Sequence, residues 1–287
     1  MLIQRLSIIG VGLIGASLAS GLRRAGECNE VIGCGRGVEN LRKAVDLGII
    51  DRYYHDPAIA VKDADVVIVA VPLGSIAGIF KSINDALSPQ TIITDVGSAK
   101  LSVIADARQY LTKHLPYFVP GHPIAGSEKS GVTAFNPNLF NGNRVILTSL
   151  PETDLQAASL VQNMWEIVGA KVVNMQAAYH DQVLAATSHL PHLLAYSLVN
   201  SLAKMDSKTE IFQFAAGGFR DFTRIASSDP RMWHDICLSN QDAILQMLEY
   251  FNTDLNQLIK AIQQKDSKQI EAIFSYAKTT RDELLNS

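Results

Sequence analysis

The chain has 287 residues, 47% of them hydrophobic and 18% charged, with a formal net charge of −3. That is enough material for two ordinary domains and a sizeable core, and the slight acidity gives no electrostatic footprint for nucleic acid or an anionic membrane. Cys28, Cys34 and Cys237 have neither metal-ligand spacing nor the pattern of a disulfide framework, so a reducing cytoplasmic setting is expected.

The N-terminal run from Arg5 to Ser20 superficially resembles a signal peptide, but Gly10, Gly12 and Gly15 interrupt it and no window is long enough to span a bilayer. Leu6-Ser7-Ile8-Ile9 reads as a buried strand and residues 13–24 as a helix. Between them lies Gly10-Val11-Gly12-Leu13-Ile14-Gly15, a G-x-G-x-x-G at a strand-to-helix junction. There the first glycine makes the turn, the second admits a pyrophosphate to backbone N–H groups, and the third allows close helix–strand packing. Val31-Ile32-Gly33-Cys34 is the second strand, and it runs into Gly35-Arg36 where an NAD site would place an acid for the ribose 2′-hydroxyl. A small residue followed by arginine favours NADP over NAD.

Residues 41–47 read as a helix closed by Gly48, and Val66 to Val71 as an apolar run typical of a strand buried on both faces, ended by Pro72. A helix over 79–87, a strand over 91–95 and a further helix opened by Val96-Gly97-Ser98-Ala99-Lys100 follow. Strands alternating with helices predict a doubly wound parallel sheet whose ligand sits beyond the carboxyl ends of the strands. The expected cofactor-binding residues are Gly10, Gly12, Leu13, Ile14, Gly15, Gly35, Arg36, Val71 and Pro72. A strand over 117–119 leads to Gly121-His122-Pro123-Ile124-Ala125-Gly126-Ser127-Glu128-Lys129-Ser130-Gly131. Its glycines and proline predict a tight loop presenting His122, Ser127, Glu128 and Lys129, and histidine suits proton transfer near neutrality. A strand over 144–148, a helix over 155–168 and a short strand over 171–173 close the first domain, 1–174.

From 175 to 287 the pattern is helical. His180, His189 and His192 have poor zinc spacing, so no metal is expected, and His180 reads as a structural helix histidine. The segment from Ala216 to Ala226 carries paired glycines and an Arg220, Asp221, Arg224 cluster suited either to a carboxylate or to internal ion pairs. Ile244, Leu248, Phe251, Leu255, Leu258 and Ile262 form a heptad seam, read as a dimer interface or as packing against residues 270–285.

Several motifs together resemble the prephenate/arogenate (cyclohexadienyl) dehydrogenases of tyrosine biosynthesis. They are GVGLIG, Asp95-Val96-Gly97-Ser98-Ala99-Lys100, GHPIAGSEKSG, Ser188-His189-Leu190-Pro191-His192, and GGFRDFTRIASSDPRMWHDI from Gly217 to Ile236. The resemblance implies a Rossmann-type doubly wound parallel sheet followed by an all-α C-terminal dimerisation domain, and a homodimer through its C-terminal helices. It implies oxidative decarboxylation of prephenate, with arogenate as a second candidate, and hydride transfer to NAD(P)+. His122 matches the base that takes the ring C4 hydroxyl proton, and Ser98 the residue that hydrogen-bonds and orients it. Arg224 matches the arginine on the ring carboxylate, His192 a side-chain recognition residue, and Ser127, Gly217 and Trp233 other positions lining the pocket. Fused mutase or ligand-sensing domains, found in some relatives, are not expected. The competing readings are another Rossmann plus helical-domain dehydrogenase, acting on a 3-hydroxy acid or imine, and a non-enzymatic dinucleotide-sensing dimer.

Overall fold

Short β-branched segments separated by amphipathic helices build a parallel sheet in the order β3-β2-β1-β4-β5-β6. Its strands are β1 (Ile3–Ile9), β2 (Cys28–Cys34), β3 (Arg52–Tyr54), β4 (Val66–Val69), β5 (Ile92–Asp95) and β6 (Phe118–Val119). The structure is a computed structural model and describes residues 1–126, 131–206 and 208–285. The connecting helices are α1 (Leu13–Arg24), α2 (Val38–Asp46), α3 (Pro57–Ala60), α4 (Leu73–Ile83) and α5 (Leu101–Tyr110). Period-two alternation divides the core between the two faces of the sheet. Val66 and Ile68 join Leu6, Ile8 and Leu18 on one face, whereas Val67 and Val69 join Ile9, Phe80 and Ile93 on the other.

A second, three-stranded sheet is made by β7 (Gly121–Pro123), β8 (Arg144–Leu147) and β9 (Lys171–Asn174), with α6 (Leu155–Ile167) between the last two. Here the sequence expectation is corrected. Gly121-His122-Pro123 is not loop but a strand antiparallel to β8, with His122 opposite Ile146. Pro123 is tolerated because it ends the strand, as expected for a residue without an N–H to give the ladder. The helix expected over 79–87 instead starts directly after Pro72, a proline before the first turn being favourable there. β3, too short and too exposed to leave a periodic signature, has no counterpart in the sequence reading.

After β9 the described residues contain helices and no strand. α7 (Ala177–Leu184) runs through a π-helical turn, Ala185–His189, into α8 (Leu190–Ala203). α9 (Lys208–Gln213), α10 (Gly217–Thr223), a 3-10 turn at Arg224–Ser227 and α11 (Pro230–Ser239) follow. The Tyr196 hydroxyl donates to Ser228 O at 2.6 Å, which pins the Arg224 turn against α8. The chain divides into two compact units, residues 1–241 and 242–287. In the second, α12 (Gln241–Gln264) bears the heptad seam and α13 (Ser267–Leu285) follows. Phe251, Leu255 and Ile262 on that seam are exposed. No described helix is long and apolar enough to cross a membrane.

Candidate active site

The glycine turn sits where β1 and β4 diverge to opposite sides of the sheet, the switch point of this strand order. Gly10 has φ of +99°, and a Cβ there would lie 2.1 Å from Ala70 O, so only glycine fits. A Cβ at Gly15 would lie 2.7 Å from Gly10 O, which is the close helix–strand approach expected of the third glycine. At Gly12 a Cβ would meet nothing within 4 Å among the described residues, and Gly12, the N-cap of α1, has no side chain to cap it. Open space beside uncapped first-turn N–H groups suits a phosphate. Asn40, which the sequence reading passed over, braces this loop: its Nδ2 donates to Val11 O at 2.7 Å and its Oδ1 accepts from Val132 N at 2.9 Å. Arg36 is exposed just past the end of β2.

The end of β5 anchors the next part. Asp95 is fully buried, and its Oδ1 accepts from Gly121 N at 3.2 Å and its Oδ2 from Gly97 N at 2.8 Å. Lys100, equally buried, pairs with Asp95 and donates to Gly121 O at 2.7 Å. Burial pulls the Lys100 ammonium below its ordinary pKa, while Asp95 opposes the shift. The pair therefore clamps β7, and with it His122, to the carboxyl-end rim of the parallel sheet. The only sequence signal for it was an acid and a base bracketing a glycine turn after an apolar strand.

His122 is itself buried. The hydrogen bond expected from Ser98 is not made among the described residues: Ser98 lies partly exposed on the same rim, and His122 Nδ1 is instead 2.9 Å from His180 Nε2. His180, a helix histidine on α7, has both ring nitrogens engaged. It is fully buried, and its Nδ1 lies 2.8 Å from Asp181 Oδ1. Asp181 in turn accepts from Lys100 N at 2.8 Å and Leu101 N at 2.9 Å. Asn240 Nδ2 donates to Asp181 O and lies 3.1 Å from His189 Nδ1. Burial, then His180, Lys100 and His189, hold the His122 imidazole well below its ordinary pKa. Burial likewise pushes His189 down to about 4.

The remaining expected residues lie on α8 (His192), at the start of α10 (Gly217), on the 3-10 turn (Arg224) and on α11 (Trp233). The His192 ring stacks on Trp233 at 3.9 Å, and the His189 ring meets the same indole edge-on at 6.0 Å. His192 Nδ1 is 2.8 Å from Ser188 O. Burial lowers the His192 pKa and the nearby Arg224 charge adds to this, so Arg224 lies within electrostatic reach of the stack. Two buried nitrogens beside it, Trp233 Nε1 and His189 Nε2, have no hydrogen-bond partner among the described residues. Gly217 starts α10 and is exposed, with open space where a Cβ would be. Ser127, Glu128 and Lys129 lie outside the described residues. Among the described residues no cluster of His, Cys, Asp and Glu could hold a metal ion.

Comparison with known proteins places this arrangement. Residues 18–174 match the family described as prephenate dehydrogenase, nucleotide-binding domain, and residues 176–276 match prephenate dehydrogenase, dimerization domain. A cyclohexadienyl dehydrogenase of Zymomonas mobilis is 37% identical over 97% of this chain and 95% of its own length. The crystal structure of prephenate dehydrogenase from A. aeolicus in complex with hydroxyphenyl propionate and NAD+ matches with a TM-score of 0.91 at 38% identity, covering 98% of both chains. Synechocystis arogenate dehydrogenase matches with a TM-score of 0.82 at 29% identity, over 98% of this chain and 99% of that one. The chain belongs to the prephenate dehydrogenase family, its nucleotide-binding domain preceding its dimerization domain.

Proposed function

We propose that this chain catalyses the oxidative decarboxylation of prephenate to 4-hydroxyphenylpyruvate, with reduction of a nicotinamide dinucleotide, as a homodimer in the cytoplasm. The observation that carries the reading is a buried imidazole, His122, held by a buried network at the rim where this sheet type binds its cofactor. The cradle of Gly10, Gly12 and Gly15 fits the dinucleotide pyrophosphate, and the bound dinucleotide supplies the hydride acceptor. His122 accepts the proton of the ring C4 hydroxyl, a burial-weakened base that needs no solvent. Arg224 offers its guanidinium to the ring carboxylate. Trp233 Nε1 and His189 Nε2, buried without acceptors among the described residues, are matched by an anionic substrate, because leaving such groups unpaired costs about 1–3 kcal/mol each. Ser98, on the same rim, contacts substrate or cofactor rather than the His122 ring. NADP is preferred over NAD, since Arg36 stands exposed at the end of β2 with no carboxylate from Cys34 to Gly37. The exposed seam on α12 forms the dimer interface.

The test is turnover of prephenate by the purified protein and by His122→Asn. The variant is expected to bind dinucleotide normally and to lose roughly 10²–10⁴ in kcat, the usual worth of a general base. A variant with wild-type turnover would overturn the assignment.

One contact favours arogenate as a second substrate. His192 donates its Nδ1–H to Ser188 O, so the neutral ring offers only an acceptor at Nε2. The keto group of prephenate is served by the protonated ring and the ammonium of arogenate by the neutral one. The ratio of kcat/KM for prephenate over arogenate is therefore expected to rise as pH falls, and to lose that dependence in His192→Val.

A further inference from the structure

A histidine base works only when the nitrogen facing the substrate lacks a proton, and the network behind His122 decides which nitrogen that is. With His122 as the base proposed above, its ring partners fix the proton's place in turn. Asp181 sits at the start of α5, where two backbone N–H groups, from Lys100 at 2.8 Å and Leu101 at 2.9 Å, donate to its two oxygens. The amino end of a helix favours the ionised carboxylate. A carboxylate only accepts, so His180 Nδ1, 2.8 Å from Asp181 Oδ1, carries a proton and donates it. The neutral His180 ring then has a lone pair at Nε2. That lone pair lies 2.9 Å from His122 Nδ1, which must therefore be the protonated nitrogen of the second ring. His122 Nε2 is left bare. All three side chains are buried.

We propose that His180 and Asp181 are positioning residues that hold His122 in its Nδ1–H tautomer, so that Nε2 is the nitrogen that takes the substrate proton. In that step the hydroxyl O–H breaks, its electron pair stays on oxygen, and an Nε2–H bond forms, with hydride leaving for the bound dinucleotide.

The test uses the full chain with bound NAD+ and ¹⁵N-labelled histidine, reading each ring nitrogen by long-range ¹H–¹⁵N correlation. The wild-type protein is expected to show His122 protonated at Nδ1 and bare at Nε2. His180→Gln keeps an oxygen acceptor for the Nδ1–H and is expected to retain the tautomer and to stay within about tenfold of wild-type kcat. His180→Leu removes the acceptor and is expected to mix the tautomers and to lower kcat by roughly 10²–10⁴ with KM little changed, up to the loss seen when a catalytic histidine is held in the wrong tautomer. A wild-type His122 protonated at Nε2 overturns the proposal, whatever the variants do. So does an equal loss of kcat in both variants, which would reduce His180 to packing. If His122→Asn keeps full turnover, the base assignment fails separately, and the spectrum still decides the tautomer.

Discussion

Acidification from about pH 7.5 to about pH 5 is expected to destabilise the fold through its buried histidines, and His189 allows the size to be worked out. Burial holds its folded pKa at about 4, against an unfolded value near 6.5. Between those two values the unfolded chain binds the proton and the folded protein does not. The His189 contribution is therefore intact above about pH 6.5 and is lost progressively as pH falls towards 4. Integrating over that window gives about 2 kcal/mol lost at about pH 5 from this one group. His122 and His192 shift in the same direction and add to it. The assay is urea denaturation of wild type and His189→Gln at both pH values, at fixed protomer concentration because a dimer's stability depends on it. Whatever the substitution costs at the higher pH, the fall between the two pH values should be smaller in the variant by about 2 kcal/mol. If both proteins lose the same stability on acidification, the buried neutral His189 is wrong.

Arg36→Ala is expected to weaken NADP binding by about 1.5–3 kcal/mol while leaving NAD nearly unchanged, as measured by titration with each dinucleotide; equal loss for both would remove the 2′-phosphate argument. Lys100→Met leaves Asp95 as an uncompensated buried charge and should cost about 3–5 kcal/mol in denaturant midpoint experiments, because breaking a buried pair by removing one partner strands the other. Leu255→Asp on the exposed seam of α12 should shift sedimentation towards monomer without altering the far-ultraviolet spectrum; an unchanged dimer would place the interface elsewhere.

Local pattern alone carried the Rossmann half of this protein. The placement of Gly10, Gly12 and Gly15 after an apolar strand, and the unbroken apolar run of β4, reflect constraints that act within a few residues: a backbone turn at φ of +99°, and a strand covered on both faces. His122 stood out as a candidate because it sits in a glycine-rich segment after a strand, whereas the roles expected of Arg224 and His192 came from the family resemblance. What neighbouring residues could not declare was pairing over distance. That Gly121-His122-Pro123 is a strand depends on β8, more than twenty residues later, offering it a hydrogen-bonding edge. Nothing in its neighbours marks Lys100 for burial, which comes about only as Asp95 and Gly121 close around it. His180 lies 58 residues from His122 and Asp181 lies 80 from Leu101, so a helix histidine and its neighbour become the backing of the candidate base only when α7 packs beside α5. Burial and hydrogen-bond partnership belong to the folded chain as a whole, and they alone decide which nitrogen of His122 holds its proton.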